Sequence, residues 1–288
     1  MNRLIAVDLG NSRAKFGCFD HTFDSSFPVP ISSFVDAPGD FVTLCRWLET
    51  LTSRDSKEED VSFSWSIART GNFPWETFQE KLEKQRPGDR FKELDRWDIP
   101  CAVEVEFPEK VGIDRILAVY GAIAWWKNRP EYEGHHSLLL VVDAGSATTI
   151  DLATTRPLEA SEGAFAGGAI IPGFDAAAEA LHGISPRLPR ISTENLSFAS
   201  YPGINTEEAL AAGIYWGAVG AIRHFYQSVQ AIIDGSNQPH PIPIFLAGGD
   251  AEKLHNGLSM YLDPERLILL PDLVLDAIAL AVRSKGFY

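Results

Sequence analysis

Leu138-Leu139-Leu140-Val141-Val142-Asp143-Ala144-Gly145-Ser146-Ala147-Thr148-Thr149 is the stretch that decides the fold, because the chain spells the same pattern near its start, as Leu4-Ile5-Ala6-Val7-Asp8-Leu9-Gly10-Asn11-Ser12. A continuous apolar run cut off by Asp-x-Gly is a strand covered on both faces that enters a tight turn. Each turn is followed by a further short segment of strand character, Lys15 to Phe19 in the first copy and Ile150-Asp151-Leu152 in the second, so each copy reads as a hairpin. The separation of the copies is too large for a solenoid repeat and suits two similar α/β domains, each opening with a hairpin. The strands starting near Leu4 and Leu138 should therefore each be central in a sheet of their own.

Working outward, residues 41–51, 75–85, 114–126, 207–230 and 273–282 carry helical patterns, and residues 62–68, 103–107 and 242–246 read as strands. Residues 53–60 are a charged connector and residues 163–173 are Gly-rich. The helix after Glu207 gathers Ala211, Ala212, Gly213, Gly217 and Gly220 on one side, a face that permits close helix packing. The expected division is 1–115 for the first domain and 116–288 for the second.

The chain has 288 residues, 45% of them hydrophobic, enough to bury a core. It carries 25 Lys and Arg against 39 Asp and Glu, a formal charge of −14, and has no Lys/Arg-rich run. A nucleic-acid backbone would be repelled, so no nucleic-acid partner is expected. Cys18, Cys45 and Cys101 are widely spaced, which argues against a disulfide framework or a zinc site. No run of ~20 apolar residues exists to span a membrane, and the apolar start Leu4–Val7 breaks at Asp8 too soon for a signal peptide. The expectation is a cytoplasmic protein with no membrane partner.

The two turns carry the same chemical kit. Gly10 and Gly145 let backbone N–H groups approach a ligand, and consecutive N–H groups in a tight turn form an anion-binding concavity. Asn11, Ser12, Ser146, Thr148 and Thr149 add short donors, and Lys15 adds a cation. Asp8 and Asp143 stand at strand ends, where a carboxylate can hold a metal ion. Two such hairpins could grip a polyphosphate and its metal, and positioning with electrostatics is most of what phosphoryl transfer requires. No P-loop sequence and no G-x-G-x-x-G after a strand is present. Gly112-Ile113-Asp114-Arg115 precedes an almost wholly apolar helix; an Asp there could accept a hydroxyl proton and an Arg could bind an acceptor carboxylate.

These residues, with Gly167-Gly168-Ala169-Ile170-Ile171-Pro172-Gly173, Leu188-Pro189, Asn205-Thr206 and Gly248-Gly249-Asp250-Ala251, resemble type III pantothenate kinase, in order over almost the whole chain. The resemblance implies two actin-like (ribonuclease H-like) domains with a nucleotide cleft between them. It implies phosphorylation of pantothenate by ATP to 4′-phosphopantothenate, the first committed step to coenzyme A, in a homodimer that needs Mg²⁺ and a monovalent cation, K⁺ or NH₄⁺. Carried over by position, Asp8, Leu9, Gly10, Asn11, Ser12 and Lys15 form the first phosphate loop, with Asp8 near Mg²⁺. Ser146, Thr148, Gly248 and Gly249 contact ATP, and Asp143 holds the monovalent cation. Asp114 is the base, and Val105, Gly112, Ile113, Asp114, Arg115 and Thr206 lie on the pantothenate side.

The chain departs from the family at Val105, where Tyr is usual, at Phe107, Ser185 and Ala247, and in Ser66-Ile67-Ala68-Arg69-Thr70. Phosphate-handling positions survive while part of the acceptor wall changes. Two other readings use the same residues: a kinase for another small hydroxy acid, and a catalytically weak member serving as a nucleotide-binding regulator. The presence of Asp8, Lys15, Asp114 and Asp143 together favours an enzyme.

Overall fold

The computed structural model describes residues 3–10, 13–20, 27–36, 41–52, 62–71, 73–132, 134, 136–156, 163–196, 199–234 and 242–286. They fall into two compact units. The first comprises Met1–Pro100, Glu109–Arg129 and Val274–Tyr288, the second Cys101–Pro108 and Pro130–Leu273. These are not the contiguous halves 1–115 and 116–288 expected from the sequence. A cut at 115/116 would sever a helix, and the C-terminal helix belongs with the N-terminal strands.

The first unit is built on a five-stranded sheet of β1 (Arg3–Leu9), β2 (Ala14–Phe19), β3 (Ser32–Asp36), β4 (Phe63–Arg69) and β5 (Arg90–Glu93), in the order β3-β2-β1-β4-β5. β1 pairs antiparallel with β2 and parallel with β4, which makes it central. Ile5, Val7 and Leu9 point into an aromatic-rich core with Phe16, Trp65 and Phe63. That core is closed by α1 (Phe41–Thr52), which buries Leu44, Leu48 and Leu51, and α2 (Trp75–Gln85), which buries Trp75, Phe78 and Leu82. These spacings put three large side chains on one helix face, and burying each contributes about 1.5–3 kcal/mol. On the opposite sheet face Gly17 leaves room for the Leu275 side chain of the C-terminal helix, 3.2 Å from where a Cβ would stand.

The second unit holds β7 (Leu138–Ala144), β8 (Ala147–Thr155), β9 (Gly163–Pro172), β10 (Ile244–Ala247) and β11 (Leu267–Leu269), with β6 (Ala102–Val103) added at one edge. The order is β11-β10-β7-β8-β9-β6. β7 pairs antiparallel with β8 and parallel with β10, as β1 does with β2 and β4. Read from β9, the order β9-β8-β7-β10-β11 repeats β3-β2-β1-β4-β5 strand for strand. The fold is two α/β units of actin-like, ribonuclease H-like topology, and both apolar runs are central strands that feed hairpins, as the sequence implied. Leu140, Val142, Ile150, Ile244 and Leu246 pack on α4 (Phe174–Ile184), α5 (Thr206–Asp234) and α6 (Ala251–Leu258). α3 (Ile113–Lys127) and α7 (Leu273–Ser284) belong to the first unit.

One sequence expectation changes. The alternating run 103–107 is strand only at Ala102–Val103, and the last ladder contact is Glu104 N–H to Phe165 O at 2.9 Å. β9 kinks at Gly167, whose φ is 98°, opposite a register shift between Asp151 and Ala153, and Pro108 then starts a 3₁₀ turn. The Gly-rich segment 163–173, to which no element was assigned from the sequence, holds the ten-residue strand Gly163–Pro172.

Candidate active site

In the first unit the turn after β1 closes with Gly10 N–H donating to Arg13 O at 3.1 Å. Asn11 and Ser12 lie outside the described residues. The Leu9 carbonyl is gripped by the end of β4: Thr70 N–H and Gly71 N–H donate to it at 3.0 and 3.2 Å, and Thr70 Oγ1 at 3.2 Å. Asp8 and Lys15 are Cα partners across the hairpin, both half-buried.

α3 begins at the same place. Gly112 is its N-cap residue, and the Asp114 carboxylate accepts from Arg115 N–H at 2.8 Å. A Cβ on Gly112 would overlap Asp114 Oδ1 and would stand 3.8 Å from Thr70 Cγ2. Glycine at 112 is thus what lets the carboxylate lie back over the helix start, where the helix dipole favours its charge. Leu9, Thr70, Gly112 and Asp114 form one neighbourhood; Ile113 and Arg115 are half-buried beside it.

In the second unit the Asp143–Ser146 turn is wedged between two glycines. Gly248 has φ 89°, and a Cβ there would overlap Ala144 O and Asp143 Oδ1. A Cβ on Gly173 would overlap Gly145 O and approach Ser146 O at 2.8 Å. Gly145 N–H donates to Ala147 O at 3.0 Å, Gly173 N–H to Ser146 O at 3.2 Å and Asp250 N–H to Ala144 O at 3.1 Å. Ser146 and Gly249 are exposed, whereas Gly248 is buried. Thr148, only 3% exposed, is the Cα partner of Ala144, on the sheet face that packs against the core helices. Thr149 lies on the other face as the Cα partner of Asp143. Its Oγ1 is buried and has no hydrogen-bond partner among the described residues.

A family model described as type III pantothenate kinase matches residues 4–228. The chain belongs to the type III pantothenate kinase family. Its sequence is 28% identical over 262 residues to the type III pantothenate kinase of Paracoccus denitrificans (strain Pd 1222), covering 90% of this chain and 90% of that protein. It is 28% identical over 289 residues to that of Alkalilimnicola ehrlichii (strain ATCC BAA-1101 / DSM 17681 / MLHE-1), covering 99% of this chain and all of that protein, 100%. Among solved structures, the activator of the 2-hydroxyisocaproyl-CoA dehydratase from Clostridium difficile with bound ADPNP is similar at 12% identity and a TM-score of 0.47, covering 99% of this chain and 98% of that one. The reaction of the type III pantothenate kinase family is phosphorylation of pantothenate in coenzyme A biosynthesis, and the chain is accordingly a phosphotransferase. A kinase of this family implies ATP and a divalent metal.

Of the residues singled out in the sequence, the first unit gathers Asp8, Leu9, Gly10, Lys15, Gly112, Ile113, Asp114 and Arg115. The second holds Val105, Asp143, Ser146, Thr148, Thr206, Gly248 and Gly249. Val105 packs beside Gly167, its Cγ1 3.8 Å from where a Cβ on that glycine would stand. Thr206 is exposed at the start of α5, where Glu208 N–H donates to Asn205 Oδ1 at 2.9 Å and caps the helix. Sequence reasoning missed Thr70, which clamps the first turn, and the supporting role of Gly173. The Pro172-Gly173 pair closing a Gly-rich run was the available signal for the latter; Thr70 had none, because its role depends on β4 lying parallel to β1.

Proposed function

We propose that this chain transfers the γ-phosphoryl group of ATP to the 4′-hydroxyl of pantothenate, giving 4′-phosphopantothenate and ADP, with Asp114 as the base. The observation that carries this reading is the Asp114 carboxylate laid over Gly112 at the start of α3, beside the Thr70–Leu9 clamp of the first phosphate turn. A primary alcohol is a poor nucleophile until its proton has an acceptor, and a positioned carboxylate supplies one, worth ~10²–10⁴-fold in rate. Arg115, next along the helix, fits a clamp on the acceptor's carboxylate, which would fix the hydroxyl relative to Asp114. On the family resemblance, Gly112 and Ile113 of the first unit and Val105 and Thr206 of the second are assigned to the acceptor.

On the donor side, Leu9, Gly10, Asn11, Ser12 and Lys15 hold phosphate oxygens, Ser146 contacts ATP from the second turn, and Gly248 and Gly249 approach the adenosine. Buried Thr148 supports the second turn from its core side. Asp8 would hold Mg²⁺, which supplies charge neutralisation at the transferring phosphate. Asp143 would hold a monovalent cation, K⁺ or NH₄⁺; its carboxylate and the orphaned Thr149 hydroxyl are hard oxygen donors of the kind such ions take.

The reading includes a cytoplasmic homodimer. Gly213, Gly217 and Gly220 of α5 are exposed, and among the described residues nothing stands within 4 Å of where a Cβ on any of them would be, which leaves that helix side open to a second copy. Trp125 and Trp126 at the end of α3 are half-buried and offer a second candidate region for contact between copies. Among the described residues no helix is long and apolar enough to cross a membrane. Light scattering over a concentration series should give twice the 31.7 kDa chain mass, and a constant 31.7 kDa would reject the dimer.

An ADP-release assay across pantothenate and related hydroxy acids, with and without K⁺, tests the activity. Release that depends on pantothenate supports the reading. Release with a different hydroxy acid only would move the acceptor assignment, with Val105 the first position to exchange for Tyr.

A further inference from the structure

The two sheets present corresponding rows of four residues across their strands at the hairpin mouths. In the first unit the row is Ala68 (β4), Asp8 (β1), Lys15 (β2) and Val35 (β3). In the second it is Ala247 (β10), Asp143 (β7), Thr149 (β8) and Ile170 (β9). Alanine stands outside the aspartate in both, and an exposed β-branched residue closes the row in both, Val35 at 53% and Ile170 at 61% exposure. The polar difference lies at one position: the residue opposite the aspartate is a lysine in the first unit and a threonine in the second.

Residues directly opposite on an antiparallel pair have Cβ atoms about 4.5–5.5 Å apart, so Lys15 can bring an ammonium to Asp8, whereas Thr149 can bring only a hydroxyl to Asp143. That hydroxyl is buried and without a hydrogen-bond partner among the described residues. A buried orphaned oxygen is uncommon in native proteins, and an ion or water is a usual resolution. Beside it, Gly248 packs so closely that a Cβ there would overlap Asp143 Oδ1 and Ala144 O, which holds both oxygens in place.

We infer that Thr149 Oγ1 is a second protein oxygen for the monovalent cation at Asp143, and that this cation supplies in the second hairpin the single positive charge that Lys15, the residue opposite the aspartate, brings to the first. The inference rests on the reading of Asp143 as the cation position. A site that replaces a tethered alkylammonium would select by single charge and size more than by coordination geometry, so K⁺ and NH₄⁺ should both be accepted. The inference also assigns Thr149 a role distinct from that of its buried neighbour Thr148.

The test compares the full chain with its Thr149→Val, Thr149→Ser, Thr149→Lys and Asp143→Asn variants. The readout is the thermal unfolding midpoint with ATP in KCl, NaCl and tetramethylammonium chloride at equal ionic strength, with the K⁺ concentration for half-maximal stabilisation taken from a titration. The wild type should be stabilised by K⁺ over tetramethylammonium. Thr149→Val should need at least ~10-fold more K⁺, Thr149→Ser should stay close to wild type, and Thr149→Lys should be indifferent to K⁺. A Thr149→Val variant with wild-type K⁺ response, while Asp143→Asn loses it, would overturn the role of Thr149 and leave the Asp143 reading standing. A wild-type K⁺ response in Asp143→Asn, or no K⁺ response in the wild type, would overturn that reading and the inference with it. Should Thr149→Lys fail to fold, the contrast between Val and Ser still decides.

Discussion

The first and second hairpins share a strand order but are held in different ways. The turn after β1 rests on hydrogen bonds: Thr70 and Gly71 grip the Leu9 carbonyl, and a Cβ on Gly10 would, among the described residues, meet only Arg13 O, at 3.3 Å. The turn after β7 is wedged by backbone contact, with Gly173 on one side and Gly248 on the other, each so close that a Cβ would overlap carbonyl oxygens of residues 144–146. The residue that follows the corresponding alanine of the parallel strand is Arg69 in the first unit, where it pairs with Glu76, and Gly248 at φ 89° in the second. One topology therefore carries two mechanical designs. A hydrogen-bonded turn tolerates side chains and can adjust to a ligand, whereas a wedged turn fixes carbonyl and carboxylate oxygens in advance, as the proposed cation position would require.

The proposed division of labour between the units should break most severely at Asp114. Asp114→Asn should reduce turnover at least ~100-fold while ATP binding and the unfolding midpoint stay near wild type. Near-normal turnover would return Asp114 to a helix-start carboxylate and leave the first unit with donor chemistry alone. The mechanical contrast is tested next. Gly248→Ala forces a side chain into left-handed backbone and should cost about 1–3 kcal/mol in urea unfolding from strain alone, with overlap adding to it. Gly10→Ala should cost less, and equal losses would show that the two turns are equally rigid.

The electrostatic contrast should have a smaller effect. Asp8→Asn should raise the KM for Mg-ATP about tenfold, a loss of about 1.4 kcal/mol, and leave K⁺ activation intact. A change in K⁺ dependence instead would mean that the charges of the two hairpins act on one ion. The slightest effect concerns Cys18, on β2 of the first unit. Burial pushes its thiol from 9.0 up to about 12. Above pH 9 the unfolded chain releases this proton while the folded chain keeps it, so stability falls as pH rises, by at most about 1.4 kcal/mol per unit from this group. Urea midpoints between pH 8 and 10 should fall less steeply in Cys18→Ala. An unchanged slope would show that Cys18 is not the group responsible.

The burial pattern of the central strands was legible because it is periodic and local. A run apolar at every position, such as Leu4–Val7 or Leu138–Val142, fits only a strand covered on both faces, and the Asp-x-Gly that follows can only turn. The helices 41–51 and 75–85 were equally readable, since their large side chains recur at helical spacing and are the ones buried. Residues 103–107 misled because alternation reports a possible strand and not a partner. Their neighbour β9 kinks at Gly167, and the ladder ends. β9 itself was hidden, since glycines in a strand look like a loop until the close approach that requires them is seen. A Cβ on Gly168 would overlap the fully buried Asp151 carboxylate.

The sequence by itself determined that there are two copies of one strand–turn design, which residues carry charge at each turn, and that an Asp-Arg pair opens an apolar helix. These follow from hydrophobic periodicity and from the few residues that tolerate a tight turn, both properties of short segments. Only the tertiary structure decided that α3 and α7 join the first unit, that Thr70 closes on Leu9, that Gly173 and Gly248 brace the second turn, and that Thr149 rather than Thr148 stands opposite Asp143. Each of these depends on strand register or on backbone approach between residues far apart in the chain. A one-residue change in register exchanges the two faces of a strand, and no local pattern of residue types fixes that choice between two adjacent threonines.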